Sequence, residues 1–168
     1  MHPVSASVSI DAPRERVFEF LCDLANRPAF TDHFMREFRL ERLASSGVGA
    51  AARFEVKPPP GTSMWMETVI EGIEPSYRIY EQGHGGRLDR IPARTAWELT
   101  EGPGETTEVT LTHWTEPSHA VDRMREKLGA ARWWRRRWSR ALRRLKEMLE
   151  SDRAVERVHI GGVDRVPT

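Results

Sequence analysis

AARWWRRRWSRALRRLKEMLES, residues 130–151, carries the period of a helix with one apolar side. At about 100° per residue, Trp134, Trp138, Ala141, Leu142, Leu145, Met148 and Leu149 fall on one stripe. Arg135, Arg136, Arg140, Arg143, Lys146, Glu147 and Glu150 fall on the opposite side or its flank. The spacing predicts an amphipathic helix about 30 Å long, at a rise of roughly 1.5 Å per residue. Two tryptophans in the stripe require a large apolar partner. The chain upstream supplies mostly strand patterns, so the expected partner is a curved sheet, and function turns on what fills the space between the two.

Working outward from that helix, Gly129 reads as a kink and His119 to Leu128 as a short helix before it. Upstream lie six strand-like segments separated by turn signals. They are Arg36 to Leu43, Ala50 to Val56, Met64 to Ile73, Tyr77 to Gln82, Arg94 to Leu99 and Thr106 to Trp114. Short turns between successive strands imply an antiparallel meander. At the other end, Val4, Ala6, Val8 and Ile10 alternate with Ser5, Ser7 and Ser9, the pattern of a half-buried strand. Asp11-Ala12-Pro13 then starts a helix over roughly 14–23, with Asp11 or Ala12 near its N-cap and Glu15 suited to the helix dipole. A second helical turn follows at Leu24 to Phe30. The expectation is one domain over residues 1–152 and a polar tail over 153–168.

Composition fits this picture. The chain has 168 residues, 39% apolar and 30% charged, with a mean hydropathy of −0.58. Its net charge is only +1, yet the segment from Arg123 to Arg157 holds 13 Lys/Arg against 5 Asp/Glu. Such asymmetry allows contact with an acidic membrane surface or nucleic acid, although an amphipathic helix places its arginines in water in any case. The cluster Trp133-Trp134-Arg135-Arg136-Arg137-Trp138 invites the same idea, but two of its tryptophans are needed inside. Nucleic acid is therefore not expected as a partner, while peripheral membrane contact through the basic helix face stays open, as does monomer or homodimer. Cys22 is the single cysteine, so no intrachain disulfide forms, and it reads as a buried small hydrophobe. Six histidines are scattered without ligand spacing, so neither metal nor cofactor is expected. No apolar run approaches the roughly 18 residues of a membrane span, and the N-terminus lacks a signal-peptide pattern, which predicts a cytoplasmic protein.

The opening stretch VSASVSIDAPRERVFEFLCDLANRPAFTDH resembles the signature of the START-like, Bet v 1-like (SRPBCC) superfamily. Its bacterial polyketide cyclase/dehydrase and lipid-transport branch is the most similar. The resemblance rests on Ile10, Ala12, Pro13, Val17, Phe18, Phe20, Leu21, Asp23, Asn26, Pro28 and Phe30, the last position more often being Trp. Gly49, Glu74-Pro75, Trp97-Glu98-Leu99 and Leu142-x-x-Leu145-Lys146 extend it over roughly residues 4–151. It implies an α+β helix-grip fold. A seven-stranded antiparallel curved sheet would wrap a long C-terminal helix, with two short helices after the first strand and an elongated cavity between sheet and helix. Members of the superfamily cyclise aromatic polyketides, carry lipids or hormones, or bind apolar ligands.

Catalytic signatures are thin. Walker, dinucleotide, zincin and serine-hydrolase motifs are missing, and Gly83-His84-Gly85-Gly86 reads as a hairpin loop. His113 shares the inward parity of Val109 and Leu111, so it is the first candidate acid/base, with Tyr80 second. The competing reading of His113 is a backbone-bonded histidine at a strand end. Candidate ligand contacts are Phe30, Phe34, Phe54, Met66, Trp97, Leu99, Leu111, Trp134, Trp138 and Leu142. Thr95 shares a strand face with Trp97 and Leu99, Asp32 and His33 edge the expected pocket mouth, and parity at Met64-Trp65-Met66 is open. Two functions compete: a carrier or sensor of a lipid-like or aromatic molecule, and a cyclase that folds a poly-β-ketone for aldol closure and dehydration.

Overall fold

The computed structural model describes residues 1–86, 88, 90–151, 159–160 and 163–164. Seven antiparallel strands form a curved open sheet: β1 (Val4–Ile10), β2 (Arg36–Leu40), β3 (Ala51–Val56), β4 (Met64–Glu74), β5 (Arg78–Gly85), β6 (Ile91–Glu101) and β7 (Thr107–Thr115). Their order is β1-β7-β6-β5-β4-β3-β2. Helices α1 (Arg14–Cys22) and α2 (Arg27–Thr31), with a 3-10 turn at Leu24–Asn26 between them, link β1 to β2. After β7 come α3 (Ala120–Lys127) and α4 (Ala130–Ser151). Two short strands from the expected tail, β8 (His159–Ile160) and β9 (Val163–Asp164), continue the sheet beyond β2, Ile160 pairing in parallel with Leu40. The rest of that tail lies outside the described residues. This is the α+β helix-grip arrangement.

The long helix has the bounds its pattern predicts. Trp134, Trp138, Ala141, Leu142, Leu145 and Leu149 are buried against the sheet, with Met148 half-buried at the edge. Gly129 takes φ +104° and turns the chain from α3 into α4, a conformation that side chains with a Cβ rarely adopt. The far end of α4 is tied to β1. Lys146 Nζ donates to the Ser9 carbonyl at 2.8 Å, and the Glu150 carboxylate accepts from the Asp11 N–H at 2.7 Å. The expected cap is corrected: Pro13 is the N-cap residue of α1 and no side chain caps the helix, while Asp23 caps the following turn by accepting from the Ala25 N–H.

β1 lies on β7 in the register Val4↔His113, Ala6↔Leu111 and Val8↔Val109, which turns His113 inward with its apolar neighbours. On the outer face Ser5 and Ser7 share hydrogen bonds with Thr112 and Thr110. On β4 the parity resolves as Met66 buried and Trp65 outward beneath the Arg53 guanidinium, 5.0 Å from the ring centre. β5 runs three residues beyond its expected end at Gln82 because its glycines are strand residues. Gly83 faces inward so close to β4 that a Cβ there would lie 1.9 Å from the Glu67 carbonyl oxygen.

Candidate functional site

The space between sheet and α4 is mostly filled. Trp97, Trp134 and Trp138 occupy it, with Trp97 and Trp138 edge-to-face at 5.7 Å. What is left is a cavity of about 20 Å³. That volume holds a water molecule, which needs roughly 10–15 Å³ by the same measure. The elongated cavity implied by the resemblance is thus replaced here by packed indoles.

Of the sequence candidates, His113, Phe54, Met66, Trp134 and Trp138 line this cavity, as does Thr95. Phe30, Phe34, Trp97, Leu99, Leu111 and Leu142 are buried, but none is part of its lining. Phe34 packs beneath α4 against Trp133, Trp134 and Trp138. Tyr80 is a correction. It points outward from β5, and its hydroxyl donates to Glu74 at 3.4 Å. Ile79 takes the inward parity of that strand, and with it Glu81. Asp32 and His33 are also outside the lining. Arg144 of α4 donates to the Asp32 carboxylate, lies 3.3 Å from His33 Nδ1 and donates to the Ala29 carbonyl, clamping the loop after α2 to the helix.

The lining includes polar groups that the sequence reading passed over. Arg27 and Glu81 form an ion pair at 2.5 Å, with both side chains almost fully buried. The Glu81 carboxylate also accepts from the Trp97 indole N–H at 2.8 Å and from Thr68 Oγ1 at 3.2 Å. The Arg27 guanidinium lies 4.7 Å from the centre of the Trp97 ring. Strict alternation from Ile79 would have found Glu81. Arg27, in a five-residue helix, left no periodic signal.

His113 is 3% exposed and packs against Trp134, ring centres 4.3 Å apart and planes tilted by 46°. Its Nδ1 shares a 3.0 Å hydrogen bond with Thr95 Oγ1. Among the described residues its Nε2 has no partner, and neither has the indole N–H of Trp138. Burial, helped by the positive charge of the chain's N-terminus, pushes the His113 pKa down to about 3. The ring is therefore neutral near pH 7 and a weak base, far from the value near ambient pH that general acid–base catalysis favours. Chemically, the site can hydrogen-bond a polar atom but is poorly set to move a proton.

Trp134 is also a wall. It also borders an outer cleft of about 600 Å³ between the Pro58–Pro60 loop and α3, lined in part by Ile91 and Met64. Sites for small ligands commonly span about 300–1,000 Å³. Among the described residues no three His, Cys, Asp or Glu side chains cluster as metal ligands, and no helix is long and apolar enough to cross a membrane.

Residues 11–150 match the family model described as Activator of Hsp90 ATPase homolog 1-like protein. Several solved structures are similar in fold. A START superfamily protein from Mycobacterium smegmatis is 18% identical, with a TM-score of 0.65 over 89% of this chain and 99% of its own. Major latex-like protein 151 from Panax ginseng is 13% identical, with a TM-score of 0.65 over 86% of this chain and 95% of its own. DynU16, from the dynemicin biosynthetic locus, is 20% identical, with a TM-score of 0.60 over 90% of this chain and 48% of its own. At these identities the likeness speaks to fold alone. No curated protein matches the sequence.

Proposed function

The chain belongs to the Activator of Hsp90 ATPase homolog 1-like family, and from that premise we propose that it binds a small apolar molecule carrying one hydrogen-bonding end. The molecule's body lies in the outer cleft between the Pro58–Pro60 loop and α3. Its polar end displaces Trp134 and reaches His113 Nε2 and the Trp138 N–H. The observation that carries this reading is the pair of partnerless polar atoms, deep in an aromatic core, one indole away from an open cleft. A buried polar group left unpaired costs about 1–3 kcal/mol, so a ligand that satisfies one gains selectivity as well as affinity. Binding is favoured over polyketide cyclisation because the inward imidazole is held neutral and weakly basic.

Native mass spectrometry of the purified chain, with denaturing extraction of anything retained, tests the reading directly. A co-purifying lipid or aromatic compound with a hydroxyl or carbonyl end is the expected result. In parallel, the uncharged fluorophore N-phenyl-1-naphthylamine should bind once per chain. Ala120→Trp, which plants an indole in the outer cleft, should weaken that binding at least about tenfold. An empty protein that also ignores the fluorophore, or equal binding by the variant, would overturn the proposal.

A further inference from the structure

α3 turns its apolar side to solvent. Val121 and Met124, with Leu128 just past its last turn, are 59%, 63% and 58% exposed at helical spacing. Asp122 of the same helix is buried and faces Arg90 at 3.9 Å. Single exposed aliphatic residues are ordinary. A helix with its aliphatic residues outward and a carboxylate inward suits contact with a second apolar phase.

One residue beyond Leu128 begins the run into α4, whose Arg132, Arg135, Arg136, Arg140 and Arg143 are exposed and make no ion pair with any described residue. Nearby carboxylates are already engaged, Asp122 by Arg90 and Glu126 by the N-terminal amine at 2.6 Å. The exposed charge on α3 and the first turns of α4 is therefore mostly positive. Pro59 joins the two surfaces: it borders the arginine-lined hollow and also the outer cleft whose rim includes Val121.

We propose that α3 and the first turns of α4 dock on an anionic lipid bilayer. Val121, Met124 and Leu128 enter the boundary between headgroups and acyl chains, and the arginines engage lipid phosphates. Single-stranded nucleic acid would want exposed aromatic platforms. Trp133 offers none, since it packs edge-on to Phe34 and Trp134 and is covered by Arg137 at 5.5 Å. A second copy would bring arginine against arginine across a twofold contact. Docking asks nothing of the inner cavity, so it stands or falls apart from the ligand proposal.

The test is flotation of the full chain with vesicles of phosphatidylcholine, with and without phosphatidylglycerol. Partitioning should require phosphatidylglycerol and fall as salt rises. The triple change Arg132→Gln, Arg135→Gln, Arg136→Gln should lower it about 100-fold, at about fivefold per basic residue. Val121→Ser, Met124→Ser, Leu128→Ser together should lower it at least about tenfold with the unfolding midpoint unchanged, because these side chains are exposed. No partitioning at low salt overturns the proposal. Full partitioning by the serine variant overturns the inserted helix. Binding to an oligothymidylate that is lost in the glutamine variant but kept in the serine variant, without vesicle binding, assigns the surface to nucleic acid instead.

Discussion

Glu81 places a carboxylate where an unpaired charge would cost several kcal/mol, and four donor groups from three other segments meet it there. Removing one side of such a pair leaves the other charge buried. Glu81→Leu should therefore destabilise the fold by about 3–5 kcal/mol in urea unfolding. Adding Arg27→Met to that variant should recover most of the loss, leaving a remainder of about 1–2 kcal/mol for the orphaned Trp97 and Thr68 donors. A single variant that loses less than about 1 kcal/mol would mean that the pair is solvated and weak. Tyr80 and Glu81 also show what a residue-level reading can miss. Hydrophobicity favours Tyr80 as the inward member, but strand parity follows Ile79, and a tyrosine is content outside with its hydroxyl on Glu74.

At the scale of elements, legibility tracked the length of the periodic signal. Seven stripe positions over 22 residues defined α4 to its ends, and alternation located β1 and β7 within a residue or so. The Gly83–Gly86 stretch failed because glycine in sequence signals a turn, whereas here Gly83 and Gly85 let β5 lie tightly on β4. Gly83→Ala should destabilise by at least about 2 kcal/mol, since its methyl would meet main-chain atoms of Glu67 that cannot swing away. Gly104→Ala, at φ +72° with open space around it, should cost only the backbone strain of about 1–2 kcal/mol. Equal midpoints for the two variants would show that β4 gives way. The candidate site was legible only in part for a related reason. Inward parity finds His113, but it left Met66 open, and whether a buried aromatic lines a cavity or fills it depends on packing across elements: Phe54 lines it and Trp97 fills it.

Across the whole molecule, acid-sensitive groups gather where α4 meets the rest of the fold. His113 lies under Trp134, His33 and Asp32 sit at the Arg144 clamp, and Glu150 ties the end of α4 to β1. All four act in the same direction. Burial holds His113 and His33 below the ordinary value of 6.5, whereas Arg144 lowers Asp32, and Lys146 with the Asp11 N–H lowers Glu150. The unfolded chain therefore binds protons that the folded chain refuses. His113 contributes its full stabilisation above pH 6.5 and loses it progressively toward about 3, and the two carboxylates add their loss below about pH 4. For His113, stability should fall on acidification with a slope approaching about 1.4 kcal/mol per pH unit between about pH 6 and 4. His113→Gln should lose close to one proton from that slope between about pH 4 and 6, in urea unfolding at a series of pH values. A slope unchanged by the substitution would mean that the folded protein already protonates His113. Because Glu150 belongs to α4 and the other three groups contact it, α4 should be the element that acid loosens first. Trp134 and Trp138 fluorescence should then shift before the circular dichroism of the sheet does; simultaneous loss of both signals would count against that order.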